Sequence, residues 1–121
     1  MPTVFVVSED TALRESACEL MATAGLDAEA TMSLESWLAA VPPQRPGCLV
    51  LDARERDFQE PGQLERFAAI CAVRPVLLLI DRGDVPIAVL ALKRGAVDVL
   101  EKPCRAESLL DRIRQVAALR T

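Results

Sequence analysis

Four short apolar runs in this chain end on residues that can handle phosphate. Ser8, Glu9 and Asp10 follow the run Val4 to Val7. Asp52 closes Cys48 to Leu51 and leads into Ala53 and Arg54. Asp81 and Arg82 follow Val76 to Ile80, and Glu101, Lys102 and Pro103 follow Val97 to Leu100. A carboxylate oxygen can attack phosphorus, since aspartyl-phosphates serve as covalent intermediates. Mg²⁺ is a hard ion that takes a few carboxylates together with phosphate and water oxygens. A lysine adds a point charge on a phosphoryl group. Each of these residues alone reads as a solvated loop charge, and open α/β sheet edges often gather charge. The combination is what suits phosphoryl transfer. Lys93 and Lys102 are the only lysines among 14 basic residues, so a lysine at a strand end stands out.

These residues can meet only if the runs are parallel strands ending on one edge. The runs are Val4 to Val7, Ala28 to Thr31, Cys48 to Leu51, Val76 to Ile80 and Val97 to Leu100. Segments of helical period separate them. Leu13, Ala17, Leu20, Met21 and Ala24 fall on one face of the first, which Gly25 stops. Ser33 caps a second helix carrying Trp37 and Leu38, and Pro42 to Gly47 read as a loop. A third begins near Pro61-Gly62 with Leu64, Phe67, Ala68 and Ile70. The fourth has Asp84 as N-cap, Pro86 in its first turn and Gly95 beyond its end. The fifth carries Leu110, Ile113 and Ala117 on one face. Five βα units with apolar strands and right-handed crossovers predict a doubly wound parallel sheet with helices on both faces. In such a sheet ligands bind at the carboxyl ends of the strands.

Composition narrows the function classes. A chain of 121 residues makes one domain, and 51% hydrophobic residues are ample for its core. The net charge of −4 is spread along the chain, which argues against nucleic-acid binding by this domain. No apolar run is long enough to span a bilayer, and Met1-Pro2-Thr3 lacks the character of a secretory signal, so the expected location is cytoplasmic. Cys18, Cys48, Cys71 and Cys104 form no C-x-x-C pair and histidine is absent. They read as free thiols rather than a zinc or redox site.

The chain resembles the response-regulator receiver domain, the CheY-like fold, and most closely its FixJ-type subgroup. The residues that carry the resemblance are Gly83-Asp84-Val85-Pro86, Ala88-Val89, Lys93, Gly95-Ala96-Val97-Asp98 and Glu101-Lys102-Pro103, with Val4 to Val7 and Cys48 to Asp52 matching in place. The resemblance covers essentially the whole chain and implies a strand order of 2-1-3-4-5. It implies Asp52 as the acceptor of a phosphoryl group from a histidine kinase or phosphotransfer protein. It implies Mg²⁺ held by Glu9, Asp52 and the backbone carbonyl of Arg54, with Asp10 as a further candidate, and Lys102 on the phosphoryl oxygens. Relatives hold the peptide bond before the equivalent of Pro103 in the cis form.

The departures from the family pattern matter equally. The usual acid pair after the first strand is Ser8-Glu9 here, which predicts weaker Mg²⁺ binding. The hydroxyl that ends strand four is replaced by Ile80, and the aromatic of strand five by Val99. Glu55-Arg56 stand where the family has Met-Pro. Two functions compete: a working phosphoacceptor with a weakened switch, and a phosphorylation-independent protein-binding module, or pseudo-receiver. A small phosphohydrolase fits poorly, because no histidine and no second aspartate just after Asp52 is present. On the fourth helix Ala88, Ala91 and Leu92 suit the sheet side, and Ile87, Leu90 and Arg94 form another face. The resemblance makes that face and the fifth helix a site for a homodimer or effector. It also suggests the N-terminal part of a longer regulator.

Overall fold

The computed structural model describes the backbone of residues 3–120 and all of their side chains but those of Glu55, Arg56 and Arg120. The readings placed on Met1, Pro2 and Thr121 lie outside the described residues. Five strands, β1 (Thr3–Val7), β2 (Ala28–Thr31), β3 (Gly47–Asp52), β4 (Val76–Ile80) and β5 (Asp98–Glu101), form one sheet. Its order is β2-β1-β3-β4-β5 and every neighbouring pair is parallel, as the sequence predicts. Helices α1 (Thr11–Thr23), α2 (Leu34–Ala40), α3 (Pro61–Val73), α4 (Val85–Lys93) and α5 (Ala106–Ala117) follow the strands in turn.

Side chains alternate along each strand and so divide the core in two. Val4, Val6, Val50, Leu77 and Leu79 pack under α1 and α5, which contribute Ala17, Met21, Ile113 and Val116. Phe5, Val7, Leu49, Leu51 and Leu78 pack under α2, α3 and α4, which contribute Trp37, Phe67, Ile70 and Ala91. Every residue of β4 is buried, which its uninterrupted Val-Leu-Leu-Leu-Ile sequence requires of a central strand covered on both sides.

Several boundaries differ from expectation for physical reasons. Gly47, read as loop, is the first residue of β3 and pairs with Thr3. A Cβ there would lie 2.4 Å from the Thr3 carbonyl oxygen and 2.6 Å from the Phe5 ring, so only glycine admits this approach. β5 begins at Asp98 rather than Val97; Asp98 is paired with Arg112 of α5 at 2.5 Å. Asp84 occupies the N-cap position of α4, but its side chain makes no capping bond. On α5 the buried face is Leu109, Ile113 and Val116, one step round from Leu110, Ile113 and Ala117.

At the amino ends of the strands Arg74 is buried, because its guanidinium replaces water with protein partners. It donates to the carbonyls of Arg45 (3.0 Å) and Pro42 (3.2 Å) and stacks on Phe5 and Trp37. Burial, then the nearby Arg45 charge, push its pKa below the usual value. The charged residues that follow the strands lie at the other end of the sheet.

Candidate functional site

Asp52 is the last residue of β3 and sits between β1 and β4 at the carboxyl edge. Its carboxylate is fully enclosed, with a side-chain exposure of 0%. A buried carboxylate costs several kcal/mol unless partners replace its water, and three groups do so. The Ser8 hydroxyl donates to Oδ2 at 2.7 Å. Lys102 Nζ donates to Oδ1 and also lies 3.3 Å from Asp81. A guanidinium nitrogen of Arg54, Nη2, lies 3.7 Å from Oδ2.

Local structure fixes each partner. Ser8 follows β1 directly; its amide donates to Thr31 of β2 and its carbonyl accepts from Arg14 at 2.7 Å. Its hydroxyl is buried and also accepts from the Asp10 amide at 3.0 Å. Lys102 is tied to β4 by its amide, which donates to the Ile80 carbonyl at 2.8 Å, and the Lys102–Pro103 bond is cis, as expected. Arg54 is extended, so its side chain shares a face with that of Asp52 two residues earlier. Its amide donates to Asp57 Oδ2 and its carbonyl accepts from the Asp57 amide, both at 2.9 Å.

The predicted metal ligands separate on inspection. Glu9, Asp52 and Arg54 line one cavity of about 300 Å³ together with Ser8 and Asp57. Asp10 is engaged elsewhere: its Oδ1 accepts from the amides of Ala12 and Leu13 and so caps α1. Among the described residues no group of three or more acidic side chains is placed to hold a metal. The oxygen donors present nevertheless suit a hard cation, with a shorter list than a full acid pair gives.

The predicted interaction face changes composition. Ile87 is buried against the sheet, with 4% exposure, and Leu90 is half-buried against the same cluster. Leu92, assigned to the sheet side, is 49% exposed. The outward apolar residues of α4 are Val85, Val89 and Leu92, with Arg94 exposed beyond them. Ile80 is buried and Val99 is half-buried, packed on the core beneath α4.

Two contacts on Asp52 lie outside what the sequence predicts. Ser8 stands where the family has an acid, and its hydroxyl donates to Asp52. Arg54 was read for its carbonyl alone, and its guanidinium faces Asp52. The extended spacing Asp52-Ala53-Arg54 carried the signal for the second.

A family model for the response regulator receiver domain matches residues 4–114. The chain belongs to this family. Nodulation protein W of Bradyrhizobium diazoefficiens is 36% identical over 110 residues, covering 91% of this chain and 48% of that protein. The transcriptional regulatory protein FixJ of the same organism is 36% identical over 106 residues, covering 88% and 52%. The chain thus spans about half the length of these curated relatives. Its structure superposes on the FixJ-N crystal structure with a TM-score of 0.84 at 30% identity, covering 100% of this chain and 97% of that one. The response regulator StyR matches with a TM-score of 0.82 at 36% identity, over 98% of this chain and 60% of that one. The domain is a FixJ-type receiver of two-component signal transduction. Receiver domains generally bind Mg²⁺ at the phosphorylation site and interact with histidine kinases or phosphotransfer proteins, and they are not classical enzymes. No described helix is long and apolar enough to cross a membrane.

Proposed function

We propose that Asp52 accepts a phosphoryl group from the phosphohistidine of a sensor kinase or phosphotransfer protein. The observation that supports this most is the Lys102 ammonium held against Asp52 at the strand ends. A carboxylate oxygen of Asp52 attacks phosphorus, the O–P bond forms, the N–P bond breaks and its electron pair returns to the imidazole of the donor. Lys102 keeps its protons throughout and follows the negative charge onto the phosphoryl oxygens. Glu9, Asp52 and the Arg54 carbonyl are the groups that would hold Mg²⁺, more weakly than a full acid pair; Asp10 is retained by α1. When bound, the ion supplies positive charge to phosphoryl oxygens.

The readout departs from the family pattern. Ile80 has no hydroxyl to move toward a phosphoryl group, and Val99 has no ring to follow it. A ligand shifts an equilibrium only by binding its two states differently. We therefore assign the domain a weakened switch, with a second reading as a phosphorylation-independent binding module favoured by Ser8, Ile80 and Val99. In either case partners meet the outward side of α4, where Val85, Val89 and Leu92 are exposed, and α5, as a homodimer or an effector complex. The domain works in the cytoplasm, as the N-terminal part of a longer regulator, and does not itself bind nucleic acid. A phosphohydrolase fits poorly, because the sequence has no histidine and no second aspartate just after Asp52 to act as acid or base.

The test is incubation with Mg²⁺ and a small-molecule phosphodonor, read by mass spectrometry. One phosphoryl group on the parent chain and none on Asp52→Asn supports the assignment; an unmodified parent chain refutes the phosphoacceptor role. Amide NMR with and without beryllofluoride then reads the switch. Small shifts across residues 84–94 and 105–118 fit the weakened switch, and large shifts there refute it.

A further inference from the structure

Asp52 is sealed off from solvent, yet both a metal ion and a phosphoryl donor must reach its carboxylate. The cover is specific. Ser8 is buried and fixed by β1, β2 and Arg14. Lys102 is anchored on β4 and keeps 19% side-chain exposure. Arg54 is the contacting side chain with the most exposure, 36%, and its Nη2 lies 3.7 Å from Oδ2, the oxygen turned away from Lys102. Its Nε is buried without a hydrogen-bond partner, so the guanidinium is held there by charge and not by a full set of bonds. Its backbone, by contrast, is clamped by the two bonds to Asp57.

Charge accounting gives the consequence. Ser8 adds no charge, so Asp52 with Lys102 and Arg54 carries one negative and two positive charges. The Asp52 carboxylate itself thus meets two cationic side chains without a divalent ion, while Asp81, 3.3 Å from Lys102, and Glu9 and Asp57 on the same cavity add acids further out. Two cations cannot both occupy the space beside Oδ2, since like charges a few ångströms apart repel strongly in a partly dry site.

We propose that the Arg54 side chain is a resident cation on Asp52, competing with divalent metal for the acceptor carboxylate. This rests on the assignment of the acceptor site above and adds a role for a side chain that the metal-ligand set does not use. Arg54 holds Asp52 closed and satisfied in the resting domain. Metal gains Oδ2 only as the guanidinium swings outward, and the Arg54 carbonyl stays in place because Asp57 fixes the backbone.

The test is calorimetric titration of Mg²⁺ alone into the parent chain, Arg54→Met and Arg54→Lys. Met keeps the stem without the charge, and Lys keeps the charge. Tightening by about tenfold in Arg54→Met, with Arg54→Lys near the parent, is the expected result; tenfold corresponds to about 1.4 kcal/mol. Tightening in both variants would reduce Arg54 to a steric cover and overturn the proposal, as would no tightening in either. Emission from Trp37, the single tryptophan, verifies that each variant is folded. Mass spectrometry with a phosphodonor is run on the same proteins. If Arg54→Met binds Mg²⁺ more tightly yet never takes up a phosphoryl group, the phosphoacceptor reading fails while the resident-cation inference stands.

Discussion

Ser8→Asp restores the family's acid at a position where this fold has no provision for it. The Ser8 hydroxyl is 2.7 Å from Asp52 Oδ2, and both residues are buried, Ser8 with 2% exposure. A carboxylate at position 8 therefore lies within about 4 Å of a second one, where two unit charges repel by about 4 kcal/mol at an effective dielectric constant near 20. Lys102 and Arg54 screen part of this. The lost Ser8 bond to a charged acceptor adds roughly 1.5 kcal/mol. We expect a net loss of about 2–3 kcal/mol in metal-free buffer, or roughly 10 °C in Tm for a domain of this size. Ser8→Ala, which adds no charge but loses the bond to Asp52 and the one the hydroxyl accepts from the Asp10 amide at 3.0 Å, should cost about 1–3 kcal/mol. The variants then diverge with metal. Mg²⁺ at about 100 times its Kd returns roughly 2.7 kcal/mol through linkage, so Ser8→Asp should recover with excess Mg²⁺ and Ser8→Ala should not. Urea unfolding followed by Trp37 emission, with EDTA and with Mg²⁺, measures both. A Ser8→Asp variant as stable as the parent without metal, or one indifferent to Mg²⁺, would refute the placement of position 8 against Asp52 in the proposed acceptor site.

Gly47→Ala should cost about 3 kcal/mol or more, from a Cβ driven into the Thr3 carbonyl and the Phe5 ring at a positive φ of 154°; a urea midpoint within 1 kcal/mol of the parent would contradict the β1–β3 register. Burial raises the Cys48 and Cys71 thiols from 9.0 to about 11. The folded state therefore holds these protons more tightly than the unfolded chain. Stability is unaffected below pH 9 and falls between about pH 9 and 11, by on the order of 2 kcal/mol per thiol. The same burial should leave both thiols unalkylated at pH 8 until urea unfolds the domain, which mass spectrometry of the labelled chain reads. Leu92→Glu should leave folding within about 0.5 kcal/mol of the parent, since the side chain is outward, and should abolish any self-association through α4 seen by analytical ultracentrifugation; an association that survives it uses another surface.

The fold was legible because each strand is a near-continuous apolar run and each helix a periodic one, so element type and succession along the chain followed from pattern, and the strand order from the resemblance. What was not legible was rotation. In α4, Val-Pro-Ile-Ala-Val-Leu-Ala-Leu-Lys, only the last residue is charged, and a helix apolar on every side does not announce which stripe faces the sheet. The packing chose Ile87 and Ala91, four apart, and left Leu92 outside. Gly47 was lost to the loop because the glycine signal for a turn and that for a close backbone approach are the same residue; only the pairing with Thr3 separates them. Edge strand β5 slipped by one because it has a single neighbour and takes its register from β4 alone.

The site divides along a similar line. Asp52 and Lys102 were legible because each stands at the end of a strand, and a parallel sheet delivers strand ends to one edge whatever the side chains do. Ser8 and Arg54 were not, because their roles depend on which group ends up beside a carboxylate with no water left around it. Once Asp52 is fully enclosed, its oxygens must be satisfied by whatever donors the neighbouring strands supply. The chain supplies a hydroxyl from β1's end and a guanidinium from two residues along its own. The substitution that looks like the loss of a metal ligand in the sequence is, in the folded domain, a hydrogen-bond donor to the buried Asp52 carboxylate. Loss of the acid and recruitment of the arginine are then one arrangement: with Ser8 neutral, the Asp52 oxygen it bonds is left to a cation, and Arg54 is the one the backbone already places there, in a cavity that Glu9 and Asp57 share.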